Sequence, residues 1–216
     1  MHGIMLHRLG SNVHILEQSP TSTPVSHMAG VCAGSDVLCF LKKFDRLGDV
    51  PLGIPSVCLQ SVDAQGRISV FLRAERLMTS WDALYFRLRA NFDGLKSEYS
   101  QSPPQINDGE DGPVAVYNTG KQVTSIEVVG IQVRVIYWDL SAGKSVETLA
   151  DLVLGADGPN SIVRKTFLGP GVAERRYAGY LAWRGVVPEN QVSEETRKLF
   201  RANITYSIVK GGHVIV

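Results

Sequence analysis

The residues best suited to do chemistry lie in one run of apolar and turn-forming residues, Asp151 to Arg164. Leu152 to Leu154 predict a short buried strand. The Gly-Ala-Asp-Gly sequence at 155–158 predicts a tight turn before a helix that Asn160 or Ser161 can cap. Such a turn presents backbone amides and a carboxylate at the carboxyl end of a strand, where open α/β sheets bind nucleotide cofactors. The spacing therefore favours a nucleotide site.

Four residues of this run have properties that a nucleotide site uses. Gly155 and Gly158 allow a sharp bend and a close approach to a ligand. Asp157 can accept hydrogen bonds from amides or sugar hydroxyls, and Arg164 can contact a phosphate. Taken alone, Gly-Ala-Asp-Gly is explained equally well as the strand-to-helix turn of any α/β protein.

A second candidate for nucleotide contact is the acid at Glu17. A helix predicted over Met1 to Leu9 ends at Gly10, and the apolar strand Val13 to Leu16 leads directly to Glu17. This order matches the second half of a dinucleotide-binding βαβ unit, in which the acid accepts hydrogen bonds from the adenosine ribose. Considered by itself, a Glu after a short strand is more often a solvated strand end.

Two runs, Leu9 to Ser19 and Asp151 to Arg164, resemble the flavin-binding signatures of the single-component, group A FAD-dependent aromatic hydroxylases, the para-hydroxybenzoate hydroxylase-like class. Two more runs, Ser80 to Arg89 and Tyr177 to Glu189, are similar to the branch that contains the 2,6-dihydroxypyridine 3-monooxygenases and their fungal relatives. The resemblance covers nearly all residues present, but only about the first half to two-thirds of a typical member.

The resemblance implies contacts between particular residues and FAD. Glu17 would bind the ribose, the backbone of Val123 the adenine, and Gly30, in the small-residue segment Met28 to Val31, would pass near the flavin. An ordinary loop glycine is an equally good interpretation of Gly30. The cofactor-binding residues implied are Glu17, Gly30, Val123, Gly155, Asp157, Gly158 and Arg164.

The substrate side is less defined by the resemblance. Arg184 is a candidate substrate contact in an extended segment from Tyr180 to Val187, although packing of that segment on a helix is an equally good account, and Trp183 is expected to pack. No catalytic residue is assigned, because in this class the cofactor carries the chemistry and the protein positions the ring and excludes water.

The resemblance also implies a reaction and a fold. The reaction is hydroxylation of a small aromatic or heteroaromatic ring, with FAD as cofactor, NADPH or NADH as electron donor and O2 as co-substrate. The fold is α/β: an incomplete Rossmann-like FAD-binding domain with a β-meander, formed by residues 1–60 and 77–171, plus part of a second, sheet-containing substrate domain, residues 61–76 and 172–216.

The sequence departs from the family pattern in three places. The family's first strand with its Gly-x-Gly-x-x-Gly turn, and its later Gly-Asp motif, are not in the sequence, and Trp81 stands where many relatives have an Arg near the cofactor phosphates. We therefore expect a fragment, truncated at both ends, that binds FAD weakly or not at all. The alternatives are a flavin-free NAD-dependent Rossmann oxidoreductase and a non-enzymatic remnant of a flavoprotein.

Composition limits the classes of partner. The formal net charge is +1 over 216 residues with no dense basic face, which argues against nucleic acid. The three Cys and five His lack metal-ligand spacing, so no metal is expected. No apolar run is long enough to span a bilayer, and His2, His7 and Arg8 interrupt any signal peptide, so we expect a cytoplasmic protein.

Periodicity and turn residues predict the remaining elements. Helices are expected at 36–47, with Ser35 as N-cap, at 81–91, with Thr79 or Ser80 as cap, and around 194–200. A hairpin is expected at 57–62 and 67–72, a β-meander at 114–117, 122–128, 132–138 and 145–149, and strands at 204–209 and 213–216.

Overall fold

The computed structural model describes residues 1–21, 30–48, 50–106, 112–169, 171–200 and 203–216. The α-helices in these residues are His2–Arg8 (α1), Ser35–Phe44 (α2), Trp81–Asp93 (α3), Ile162–Phe167 (α4) and Glu194–Phe200 (α5). The strands are Val13–Leu16 (β1), Gly30–Ala33 (β2), Ile54–Val62 (β3), Ile68–Ser80 (β4), Ala115–Asn118 (β5), Lys121–Val129 (β6), Gln132–Asp139 (β7), Lys144–Ala150 (β8), Ile204–Val209 (β9) and Gly212–Ile215 (β10). The mixed composition confirms the predicted α/β class.

The described strands form three sheets. The largest has the order β10-β9-β3-β4-β2, a second joins β6, β7 and β8 in antiparallel order, and β1 pairs in parallel with β5. The predicted meander is therefore confirmed for β6 to β8 and wrong for its first strand. β5 aligns Ala115 with Val13 instead, a pairing between distant residues that local alternation cannot reveal.

The chain divides into two compact units by its internal contacts. The first unit contains residues 1–12, 26–113 and 183–216, and the second contains residues 13–25 and 114–182. The largest sheet belongs to the first unit, and the β1–β5 pair and the β6–β8 sheet belong to the second. The domain division predicted from the sequence, by cofactor and substrate role, stays a prediction.

The first unit is held by helix α3 and a buried polar network. Ser80 caps α3 by accepting a hydrogen bond from the amide of Ala83 at 3.0 Å, as predicted. The helix buries Phe86, Ala90 and Phe92 on its apolar face. Its buried Arg87 donates to the Asp45 carboxylate at 2.8 Å.

The Asp45 carboxylate also explains where α2 ends. We predicted an end at Leu47, but Asp45 adopts an extended backbone conformation just after Phe44. Its side chain accepts hydrogen bonds from Arg87 and from Asn91 Nδ2, both on α3. The prediction for the start of α2 is also wrong, because Gly34 is the N-cap and Ser35 is the first helical residue.

Two segments predicted to be extended are not strands. Leu152 and Leu154 are 62% and 51% exposed, so the predicted buried strand before the turn is wrong. Residues 180–187 also lack strand structure, and Trp183 is 92% exposed where packing was expected. Extended backbone becomes a stable strand only when a neighbour completes its hydrogen bonds, and no described strand pairs with either segment.

Candidate nucleotide-binding site

The position of Glu17 follows from the strand before it. β1 ends at Leu16, and the amide of Glu17 donates to the carbonyl of Asn118 at 2.8 Å, which extends the pairing with β5. The side chain is half-buried, and its Oε1 accepts a hydrogen bond from the amide of Ser19 at 2.7 Å. In the described part of the chain no hydrogen bond reaches Oε2.

The turn between β5 and β6 holds the loop that follows Glu17. The amide of Lys121 donates to the Glu17 carbonyl at 2.8 Å, and the amide of Gly120 donates to the Ser19 carbonyl at 2.7 Å. Gly120 has φ of +67°, a conformation that glycine adopts without strain. Backbone bonds thus fix the Glu17 loop on the start of β6.

Val123 lies on β6, which is an edge strand of its sheet. A register shift between Val123 and Ser125 interrupts the pairing with β7. Edge strands present backbone groups that no neighbouring strand uses, and bulges redirect them. Val123 is paired with Tyr137 of β7 immediately before this shift.

Gly155 and Gly158 are each favoured at their positions in the turn for a different structural reason. A Cβ on Gly155 would lie 2.9 Å from both Cβ and Cγ2 of Val163, so only glycine lets this backbone pack against α4. Gly158 has φ of +72°, which favours glycine, and open space surrounds it. The turn itself is exposed to solvent.

The Asp157 carboxylate organises the start of α4. Its Oδ1 accepts a hydrogen bond from the Ser161 hydroxyl at 2.6 Å, and its Oδ2 accepts one from the amide of Ile162 at 2.6 Å and one from that of Val163 at 3.2 Å. Ser161 in turn caps the helix, accepting from the amide of Arg164 at 2.9 Å, as predicted. Both Asp157 oxygens are thus used inside the chain.

The charged groups of Arg164 and Asp157 are both engaged in hydrogen bonds within this turn and its helix. The Arg164 guanidinium donates to the carbonyl of Pro159. Partial desolvation acts to raise the pKa of Asp157, but the hydrogen bonds from the Ser161 hydroxyl and the helix amides outweigh it, and the pKa lies below its ordinary value. The carboxylate is charged at neutral pH and stabilises the helix start.

We expect replacement of Asp157 by alanine to lower the free energy of unfolding by about 1 kcal/mol at pH 7, because the cap is lost. A pKa lowered by folding gives stability that is present above the ordinary pKa and is lost as the pH falls through the folded value. The difference between wild type and variant should therefore shrink below about pH 4. Urea unfolding of both proteins across this pH range measures the difference in free energy of unfolding.

Asp151→Asn, at an exposed position in the same unit, serves as the control. A difference between wild type and Asp157→Ala that is equal at every pH would contradict the stabilisation of the helix start by the charged Asp157 carboxylate.

The predicted site residues fall in both units. Six of them lie in the second unit, and these are Glu17, Val123, Gly155, Asp157, Gly158 and Arg164. Gly30 and Arg184 lie in the first unit. Gly30 begins β2, pairs with Ser80 and would meet nothing with an added Cβ, whereas Met28 and Ala29 lie outside the described residues. Arg184 is exposed and outside any strand.

Sequence reasoning missed an ion pair beside the Glu17 loop. Lys121 Nζ lies 2.6 Å from Asp139 Oδ2, and both side chains are about 15% exposed. The available signal was the Asp-Leu-Ser-Ala-Gly turn at 139–143, because an Asp that precedes such a turn commonly bonds its amides. The partner Lys121, 18 positions earlier, has no local signature.

No helix in the described residues is long and apolar enough to cross a bilayer. No three His, Cys, Asp or Glu side chains in that part of the chain gather as a metal ion would require.

Comparison with known proteins gives consistent matches. The family model described as FAD binding domain-like matches residues 177–216. The 2,6-dihydroxypyridine 3-monooxygenase of Paenarthrobacter nicotinovorans is 29% identical over 214 residues, which are 98% of this chain and 46% of the relative. The 6-hydroxynicotinate 3-monooxygenase of Pseudomonas fluorescens is 29% identical over 190 residues, 85% of this chain and 43% of the relative.

Solved structures give the same picture. The 2,6-dihydroxypyridine-3-hydroxylase from Arthrobacter nicotinovorans matches with a TM-score of 0.70 and 27% identity, over 98% of this chain and 47% of that one. The p-nitrophenol 4-monooxygenase from Pseudomonas putida shares the fold alone, with a TM-score of 0.54 and 16% identity, over 76% of this chain and 39% of that one. The chain spans about half the length of these relatives. Over most of its length the chain is similar to 2,6-dihydroxypyridine 3-monooxygenase and to 6-hydroxynicotinate 3-monooxygenase.

Proposed function

We propose that this chain supplies the adenosine-binding part of an FAD-dependent monooxygenase that hydroxylates an aromatic or heteroaromatic ring with NADPH or NADH and O2. The observation that carries the proposal is the match to 2,6-dihydroxypyridine 3-monooxygenase, which extends over 98% of this chain at 29% identity. The related solved structure supports it with a TM-score of 0.70.

The second unit has chemical groups that suit the adenosine part of FAD. The Glu17 carboxylate is half-buried and accepts one hydrogen bond at Oε1, which fixes its position, as an acceptor for ribose hydroxyls would require. The β6 edge at Val123 offers backbone groups for the adenine. Together they are the residues that we expect to hold the nucleoside.

For Asp157 and Arg164, two other predicted cofactor contacts, we propose a different role. Asp157 and Arg164 bind groups of their own turn, so we propose that they shape the turn at Gly155 and Gly158 rather than bind FAD through their side chains. The turn would then approach the cofactor by its backbone, which the open surroundings of Gly158 favour. The role of Gly30 near the flavin stays a prediction.

FAD, when bound, would supply the redox chemistry, taking a hydride from the nicotinamide and activating O2 for insertion into the ring. The residues of this chain would bind and orient the cofactor. The substrate we propose is a small aromatic or heteroaromatic compound, with Arg184 as a candidate contact, and a cytoplasmic location fits the use of NADPH or NADH.

The experiment that tests this proposal is an NMR titration with ADP, which represents the adenosine diphosphate of FAD. We expect Glu17→Gln to weaken ADP binding about tenfold, because a charged acceptor for the ribose hydroxyls is lost. Glu127→Gln is the matched control, since Glu127 is an exposed carboxylate in the β6–β8 sheet that pairs with Arg134 at 2.9 Å. Equal affinities for wild type and Glu17→Gln would refute the proposed site.

A further inference from the structure

The Asp139 carboxylate lies at a junction of three strands in the second unit. Its Oδ1 accepts hydrogen bonds from the Ser141 hydroxyl at 2.6 Å, the Ser141 amide at 3.0 Å and the Ala142 amide at 3.1 Å, which closes the turn between β7 and β8. Its Oδ2 lies 2.6 Å from Lys121 Nζ, at the first residue of β6. One carboxylate thus joins the β7–β8 turn to the start of β6.

The backbone of Lys121 connects this ion pair to the Glu17 loop. Its own amide donates to the Glu17 carbonyl at 2.8 Å, and the preceding amide, that of Gly120, donates to Ser19 at 2.7 Å. The Gly120 carbonyl accepts from the Leu140 amide at 2.9 Å, next to Asp139. Every link in this path is short and directional, so displacement of the Lys121 backbone would displace the Glu17 loop.

The electrostatics around Asp139 favour an ion pair with Lys121 that persists at neutral pH. The Lys121 ammonium and the Ser141 hydroxyl hold the pKa of Asp139 well below its usual range, and the turn amides add to this, while partial burial acts in the opposite direction. Asp139 is therefore ionised at neutral pH. Both side chains are about 15% exposed, so solvent screens this pair less than it screens the exposed pairs of the same sheet.

We propose that Asp139 is a positioning residue for the nucleotide site: by holding Lys121 and the β7–β8 turn, it sets the place of the Glu17 carboxylate. The inference rests on the proposed function, because Glu17 is the ribose acceptor there. Asp139 itself would not contact the ligand. Its loss should therefore reduce recognition of the ribose hydroxyls and leave the rest of nucleotide binding unchanged.

The test compares ADP with 2′,3′-dideoxyadenosine diphosphate, which lacks both ribose hydroxyls. The wild type should prefer ADP by about tenfold, since the hydroxyls bond a charged acceptor. Asp139→Asn should lower this preference to about twofold to threefold while the affinity for the dideoxy compound stays the same. A loss of stability alone would weaken both ligands equally, so the ratio separates positioning from general destabilisation.

Further variants and a second measurement complete the experiment. Lys121→Met leaves the Asp139 turn bonds in place and should behave as Asp139→Asn does, whereas Lys121→Arg should keep the preference. Amide hydrogen exchange at Ser19, Gly120 and Lys121 should be faster in Asp139→Asn and Lys121→Met than in the control Glu127→Gln.

The outcomes distinguish the two proposals. A wild type that binds ADP and the dideoxy compound equally refutes the proposed nucleotide site, and the role of Asp139 falls with it. A wild type that prefers ADP, a Glu17→Gln variant that does not, and an Asp139→Asn variant with unchanged preference would overturn this inference alone. Unchanged amide exchange at Ser19, Gly120 and Lys121 would overturn it as well.

Discussion

Replacement of Arg87 by methionine should lower the free energy of unfolding by about 3–5 kcal/mol, the largest effect that we expect from a single substitution in this chain. The Arg87 side chain is 5% exposed and the Asp45 side chain 7% exposed, with 2.8 Å between Nε and Oδ2. Methionine would leave Asp45 buried without its cation, and the carbonyl of Val50, which now accepts from Arg87 Nη2 at 2.7 Å, without that donor. Urea unfolding followed by circular dichroism measures the loss.

The matched control is Arg67→Gln. Arg67 also pairs with an aspartate, Asp63, at 2.6 Å, but its side chain is 77% exposed. Solvent-exposed pairs contribute about 0–1 kcal/mol, so this change should be close to neutral. Similar losses in Arg87→Met and Arg67→Gln would show that burial of the Arg87 pair does not determine its contribution.

Replacement of Gly155 by alanine should cost about 1–3 kcal/mol, as overpacking commonly does. The added Cβ would lie within 3.0 Å of three Val163 atoms, and a β-branched side chain on a helix cannot rotate away. The strain should act on the turn at 155–158 and weaken ADP binding along with stability. Urea unfolding and ADP titration of the same variant measure both effects.

Two further variants test the steric origin of that cost. Val163→Ala in the Gly155→Ala background removes the two Cγ atoms and should restore part of the stability. Gly169→Ala, where no atom lies within 4 Å of the added Cβ and φ is not positive, should change stability by no more than about 0.5 kcal/mol. A full-sized loss in Gly169→Ala would contradict the packing explanation.

Elements determined by local signals were predicted well from the sequence. Helix α3 begins at Trp81 because the Ser80 hydroxyl caps it. The apolar stripe that the spacing indicated, Trp81, Leu84, Tyr85 and Leu88, is only half-buried, and the helix buries Phe86, Ala90 and Phe92 instead. Helix α5 and strand β9 have the predicted bounds. In these cases caps and periodicity are properties of neighbouring residues, so one sequence contains them.

Elements determined by distant partners were predicted poorly. β4 was expected to end at Leu72 but runs to Ser80, because its last residues pair with β2, which lies about 50 positions earlier. The segments 152–154 and 180–187 have strand-like composition and no strand partner in the described chain. Pairing across such separations is set by the whole sheet and not by the alternation of residues within one strand.

The candidate site shows the same contrast. The sequence offered Glu17 and the 155–158 turn as candidates because a strand followed by an acid and a Gly-Ala-Asp-Gly turn are local patterns, although the strand predicted at 152–154 did not form. It did not reveal that Asp157 bonds its own helix. It also did not reveal the ion pair between Lys121 and Asp139. Both features depend on which donors the fold brings to a carboxylate, and a motif does not record that.

A residue-resolved NMR titration of the chain with ADP tests whether Glu17 and the 155–158 turn bind the same nucleotide. If Glu17 and the 155–158 turn serve one nucleotide, then the amides of Glu17, Val123, Gly155 and Gly158 should shift together, with a single dissociation constant. Glu17→Gln should raise that constant at all four positions. Shifts at Glu17 without shifts at 155–158, or the reverse, or different constants for the two places, would show that they do not form one site.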